Sequence, residues 1–228
     1  VTRGLKIICS AMFLWGVGEG LFIYFQPIYL EQLGADPIEI GGILGLTGLG
    51  FTISHIPAGA LADTIGRRKI MVTGWIIGVI AGFVMFLAST LPVFVFGIVL
   101  YSCTSFVMAA VQSYVTAAKG SWTVTRALTT TSAFSGVGAI IGPVVGGQLA
   151  EVIGLRAIYG IAAGIFVFSA LTITLLRPQP VESVGDGPRY QNLLRNKALA
   201  SFFLLVFFVL FGMYLSWPLT PIFLQEVR

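Results

Sequence analysis

The chain has 228 residues, 57% hydrophobic and 10% charged, with a net charge of +4 and a mean hydropathy of +0.95. Soluble domains carry about 25% charged residues, so composition excludes an ordinary water-exposed surface and makes lipid the main solvent. There the backbone must satisfy its own hydrogen bonds, which leaves helices or a closed barrel. The long, mostly unbroken apolar runs choose helices over alternating strands of about ten residues.

Seven spans follow in chain order. The first covers about 5–30, and a turn with Glu31, Gly34, Asp36 and Pro37 follows it. The second covers about 38–61 and ends in the charged stretch Gly59-Ala60-Leu61-Ala62-Asp63-Thr64-Ile65-Gly66-Arg67-Arg68-Lys69, read as a tight turn at a membrane surface. The third covers about 70–87, followed by a minimal loop of Ser89, Thr90 and Pro92. The fourth covers about 93–115, and a polar stretch around Lys119, Gly120 and Ser121 leads to Arg126. The fifth (127–153) and sixth (157–176) are joined by Gly154, Leu155 and Arg156. A hydrophilic segment then runs to Lys197, and the seventh span starts near Ala198 and passes Pro218 and Pro221. The expected organisation is a six-helix bundle at 1–176, a cytoplasmic linker at 177–197 and a seventh transmembrane helix at 198–228.

Alternating loops sort the charges. One side holds Arg3, Lys6, Arg67, Arg68, Lys69, Lys119, Arg126, Arg177, Arg189, Arg195 and Lys197, and the other only Arg156 and Arg228. Glu31, Asp36, Glu39, Glu151 and Glu226 gather on that second side. Lys and Arg mark the cytoplasmic face, so the N-terminus is expected there. Orientation, with contact to anionic lipid, accounts for the basic excess and makes nucleic acid an unneeded partner.

An internal repeat points further. Gln26-Pro27-Ile28-Tyr29-Leu30-Glu31 resembles Thr220-Pro221-Ile222-Phe223-Leu224-Gln225, with Pro221 standing 194 residues after Pro27. Both copies end a span on the outer side, as two parallel six-helix halves require. The sequence then holds one half and the first helix of the next, and the remainder of the second half is an expected partner.

The stretch Gly59-x-Leu61-x-Asp63-x-x-Gly66-Arg67-Arg68 resembles the signature loop of the major facilitator superfamily, between that family's second and third helices. Gly138-x-x-x-Gly142-Pro143-x-x-Gly146-Gly147 resembles the motif of its antiporter branches, especially drug/proton antiporters, and Arg126-Ala127 resembles the usual entry to that helix. Thr64 departs from the pattern, standing where the family often carries a basic residue. The resemblance covers essentially the whole chain. It implies an all-α membrane protein with a six-helix N-terminal bundle and an antiporter's chemistry.

Single residues carry the remaining expectations. Glu19 sits mid-way along the first span between Gly18 and Gly20. An acid at the bilayer centre costs roughly 2.5–3.5 kcal/mol on insertion scales, so it is expected to face a wet cavity, as a proton-coupling group or a cation-binding carboxylate. The alternative is a protonated acid bonded to a neighbouring helix. His55, the sole histidine, has the pKa range of a proton relay, against the plainer role of a packing residue. Tyr101, Ser105, Met108 and Gln112 share one helical face and are expected to look inward, with Gln26, Tyr24, Tyr214 and Trp217 as further cavity candidates.

Gly59 and Gly66 are expected to flank the turn, with Asp63 capping the next helix or pairing with an arginine on a neighbouring helix, and Arg67, Arg68 and Lys69 anchoring the positive side. The plainer reading is a turn with topological anchors, the functional one a gate latch whose charges pair when the cytoplasmic side is closed. Gly138, Gly142 and Gly146 repeat every four residues, which suits close helix packing. With Pro143 as a bend, they are the expected seam on which two halves rock. Cys9 and Cys103 read as apolar packing residues. The sequence carries no metal-ligand cluster and no phosphate-binding loop ending in Gly-Lys-Ser/Thr, so no metal, cofactor or enzymatic activity is expected. The function expected is proton-coupled efflux of amphipathic or drug-like molecules by alternating access in the plasma membrane. An importer or facilitator of a sugar, organic acid or amino acid, and a non-transporting truncated scaffold, are the alternatives.

Overall fold

A computed structural model describes residues 1–180 and 196–214, apart from the side chains at 56–64, 210, 213 and 214. Trp217 and most of the linker lie outside the described residues, as does the side chain of Tyr214. All regular elements among the described residues are helical: α1 Arg3–Phe22, α2 Gln26–Gln32, α3 Pro37–Ile65, α4 Arg67–Leu87, α5 Leu91–Cys103, α6 Val107–Ala118, α7 Val124–Ile153, α8 Leu155–Thr174 and α9 Lys197–Tyr214. The chain separates into two compact units, Val1–Glu182 and Ser183–Arg228. α9 belongs to the second and is strongly apolar along its length.

Six stretches of the first unit are long and apolar enough to span a bilayer: Arg3–Gln32, Pro37–His55, Arg67–Leu87, Leu91–Ala118, Val124–Ile153 and Leu155–Thr174. They match the expected spans. Two differ in being interrupted, by 3-10 turns at Ile23–Phe25 and Thr104–Phe106.

Local chemistry sets the ends. Asp36 and Glu39 form a reciprocal capping box, with Oδ1 of Asp36 accepting from Ile38 and Glu39 at 2.8 Å and Glu39 Oε2 accepting from the Asp36 amide at 3.0 Å. Thr123 caps α7 and Thr2 caps α1 in the same way, each through its hydroxyl. Pro92 lies in the first turn of α5, where its missing N–H costs nothing, so the loop before it is only 88–90.

The charged turn is tighter than expected. α3 continues through Asp63 to Ile65, and Gly66 alone separates it from α4. Gly59 therefore lies within the helix, and one glycine makes the reversal, at φ 98° and ψ 133°. This region of backbone is strained for other residues. Gly66 itself occupies the α4 cap position.

The core sits where α1 meets α7 and α8, and where α4 meets α8. Trp15 stacks on Phe166 with ring centroids 4.5 Å apart and lies 5.1 Å from Trp75. Phe22, Tyr159, Tyr29 and Phe94 continue the ring cluster along the same layer. A single hydroxyl joins three helices there. Ser169 accepts from the Trp75 indole N–H at 2.8 Å and donates to the Ala11 carbonyl at 2.7 Å, fully buried. Cys9 and Cys103 are both free thiols.

Candidate functional site: a cavity walled by aromatic side chains around Glu19

Residues 18, 19 and 20 of α1 point in three directions, about 100° apart around the helix. Gly18 is pressed against Phe166 of α8, and Gly20 against Gly142 and Pro143 of α7. Side chains at either position would collide, and the third direction is left to Glu19. It opens on a cavity of about 120 Å³ lined by Trp15, Phe51, Trp75, Tyr101, Ser105 and Met108, among others. The flanking glycines thus have a packing cause, and their effect is to aim the carboxylate.

The Glu19 carboxyl lies beside the Tyr101 hydroxyl. That hydroxyl finds no partner of hydrogen-bonding geometry among the described residues. A small shift of either side chain lets the hydroxyl donate to the carboxyl, so the cavity sets a donor next to an acid. The rest of the wall mixes the rings of Trp15, Phe51 and Trp75 with small, hydroxyl-bearing and aliphatic residues, able to take an apolar guest and to hold a cation over a ring face.

A second polar group lies where α3 meets the 3-10 turn of the fourth span. His55 Nδ1 stands 2.8 Å from the Phe51 carbonyl and 3.2 Å from Ser105 Oγ. A carbonyl only accepts, so Nδ1 carries the proton. Ser105 Oγ also stands 2.8 Å from Ser54 Oγ. His55 is therefore one hydrogen bond away from a cavity-lining residue. Of the inward face expected on the fourth span, Tyr101, Ser105 and Met108 line the cavity, while Gln112 is exposed and does not. Gln26 is buried at the start of α2 and is not part of the lining.

The signature-loop arginines bind inside their own bundle. Arg67 Nη1 donates to Gln179 Oε1 at 3.2 Å, and Arg68 donates to the carbonyls of Leu176 and Thr174 at 2.6 and 2.8 Å. The side chain of Asp63 lies outside the described residues. The fifth-span glycines also turn inward: Gly138, Gly142 and Gly146 face the α1 backbone at Phe13, Gly20 and Leu21. Their seam is within one bundle rather than between two halves, because only another glycine-bearing helix, here through Gly16 and Gly20, lets backbones approach so closely. Gly147 lies off that row, nearest the Phe25 ring. Among the described residues no cluster of His, Cys, Asp or Glu has metal-binding geometry.

The family model of the Major Facilitator Superfamily matches residues 8–228. The chain belongs to the major facilitator superfamily. Among curated relatives, it is 30% identical to the multidrug resistance protein MdtG of Proteus mirabilis over 184 residues, covering 76% of this chain and 44% of that protein. It is 28% identical over 221 residues to the multi-drug resistance efflux pump PmrA of Streptococcus pneumoniae, covering 87% of this chain and 53% of the relative. The chain therefore spans about half the length of these relatives. A solved structure of the Escherichia coli fucose:proton symporter FucP shares the fold, with a TM-score of 0.63 at 20% identity over 77% of this chain and 49% of that one. The six stretches long and apolar enough to span a bilayer are thus those of a member of this superfamily.

Proposed function

We propose that this transporter is a proton-coupled exporter of amphipathic or drug-like molecules, working by alternating access, with Glu19 as the group that exchanges the proton. The observation that carries the reading is one carboxyl set beside the buried Tyr101 hydroxyl on the wall of a cavity. An acid in such a site can hold either a proton or a cationic guest, and mutual exclusion of the two is what antiport requires. The contact of His55 with the cavity-lining Ser105 supports a relay role for the histidine. The multidrug names of the MdtG and PmrA relatives support the efflux direction.

The cavity of about 120 Å³ is small beside ordinary ligand pockets of roughly 300–1,000 Å³. That suits one wall of a larger chamber, whose other wall comes from a second six-helix half following a linker at 177–197. The basic side, with the N-terminus and Arg68, is the cytoplasmic one in a plasma membrane.

The test is transport by the complete carrier in proteoliposomes under an imposed pH gradient. Glu19→Gln keeps the shape and removes the titration. Substrate movement that no longer responds to the gradient in this variant is the expected result. A variant that follows the gradient as the unsubstituted protein does would falsify the assignment.

A further inference from the structure

The stretch around Gly66 recurs 88 residues later. Gly59, Leu61, Ala62, Ile65, Gly66 and Arg68 are matched by Gly147, Leu149, Ala150, Ile153, Gly154 and Arg156, and the acid Asp63 by Glu151. The backbone repeats as well. Gly154 is the lone residue between α7 and α8, at φ 83° and ψ 157°, as Gly66 is between α3 and α4.

The hydrogen bonds obey the same offset. Arg68, at the start of α4, donates to the carbonyls of Thr174 and Leu176 at the end of α8. Arg156, at the start of α8, donates to the carbonyls of Phe86 at 2.9 Å and Leu87 at 3.2 Å, at the end of α4. Thr174 stands 88 residues after Phe86, just as Arg156 stands 88 after Arg68. Each helix of the pair opens with the arginine that closes the other. Last-turn carbonyls lack helical donors, a cation is favoured at that end of the dipole, and a guanidinium offers a rigid fork of donors. The 21 residues of α4 put the two clamps about 30 Å apart, at opposite membrane faces.

The match fits the inverted three-helix repeats within each half of this superfamily, and we propose that Arg156 is a positioning residue for closing the face opposite to Arg68. The proposal rests on the alternating-access reading above. In such a cycle one face closes while the other opens. A loop held in place by its clamp has less ordering left to do when the opposing half seats on it. Releasing Arg156 therefore penalises the state closed at its own face, and releasing Arg68 penalises the other. The two substitutions push one equilibrium in opposite directions.

The test uses the complete carrier in cells, with Ser102→Cys on the cavity wall as the only thiol after Cys9→Ser, Cys103→Ser and replacement of every further cysteine of the complete carrier. A membrane-impermeant maleimide applied outside reads how often the cavity opens outward. Arg156→Ala is expected to raise the labelling rate about threefold to tenfold, and Arg68→Ala to lower it by a similar factor. Arg156→Gln and Arg68→Gln give the same comparison where an alanine protein fails to reach the membrane. A purely structural role would lower the yield of both proteins and leave the sign of labelling alike. Equal or same-direction shifts, with the unsubstituted reporter labelled from both faces, overturn the clamp assignment and leave the carrier reading standing. A reporter labelled from one face only, under every pH gradient, overturns both.

Discussion

α3 and α7 both carry glycines at helical spacing, and the structure treats them differently. On α7, Gly138, Gly142 and Gly146 touch the α1 backbone, and a methyl group on any of them would overlap it. On α3, Gly41, Gly42, Gly45 and Gly48 have nothing within 4 Å of where a Cβ would sit. Only 6% of the α3 span is buried, against 56% of the first span. Small residues at four-residue intervals permit close packing, but they do not say which glycines are occupied inside the bundle. Helix α7 uses its row within the bundle, and α3 holds its row open.

The largest effect expected from this contrast is at Gly142. Leucine there forces α7 off α1 and should abolish recovery of folded protein, read by the monodisperse yield in detergent; normal yield would contradict the packing. Next is Gly142→Ala, where the added methyl meets the Gly20 backbone. Overpacking of this kind costs about 1–3 kcal/mol, seen as a lower melting temperature. Gly45→Ala should change sign: with open space around it, the gain in helix propensity, up to about 1 kcal/mol, leaves the melting temperature equal or higher. A drop as large as that of Gly142→Ala would erase the distinction between the two rows. Gly45→Leu sharpens it further. Stability of the bundle should hold while transport by the complete carrier falls, since that face is open to a second half; unchanged transport would assign the face to lipid. The smallest effect is at the α3 cap, where Asp36→Ala should cost about 1 kcal/mol, measurable in the same melting experiment.

The sequence made the spans legible because twenty apolar residues have few other uses, and the signature loop because four charges in seven residues stand out in so greasy a chain. Glu19 was legible for the same reason. The two 3-10 turns were not, since neither Ile23–Phe25 nor Thr104–Phe106 contains a proline or glycine to announce it. Gln112, four residues beyond the cavity-lining Met108, is exposed and lies off this cavity. The reach of the turn was also misjudged: Gly59 signals a bend in sequence, but helix geometry persists until Gly66, the one position with positive φ in that stretch. Arg156 was read only as a stray charge on the acidic side. Its two carbonyl partners lie about 70 residues away, and no local pattern reports a contact of that separation.

Ser169 has a consequence out of proportion to its size. Its one oxygen both receives the Trp75 proton and supplies a proton to Ala11. Losing that atom would strand an indole N–H on one neighbour and take a second donor from a carbonyl already bonded within α1 on another, deep in a layer that water does not reach. The first, third and sixth spans thus share a single point of failure, and the rear of the chamber stays one solid slab for as long as that atom is in place.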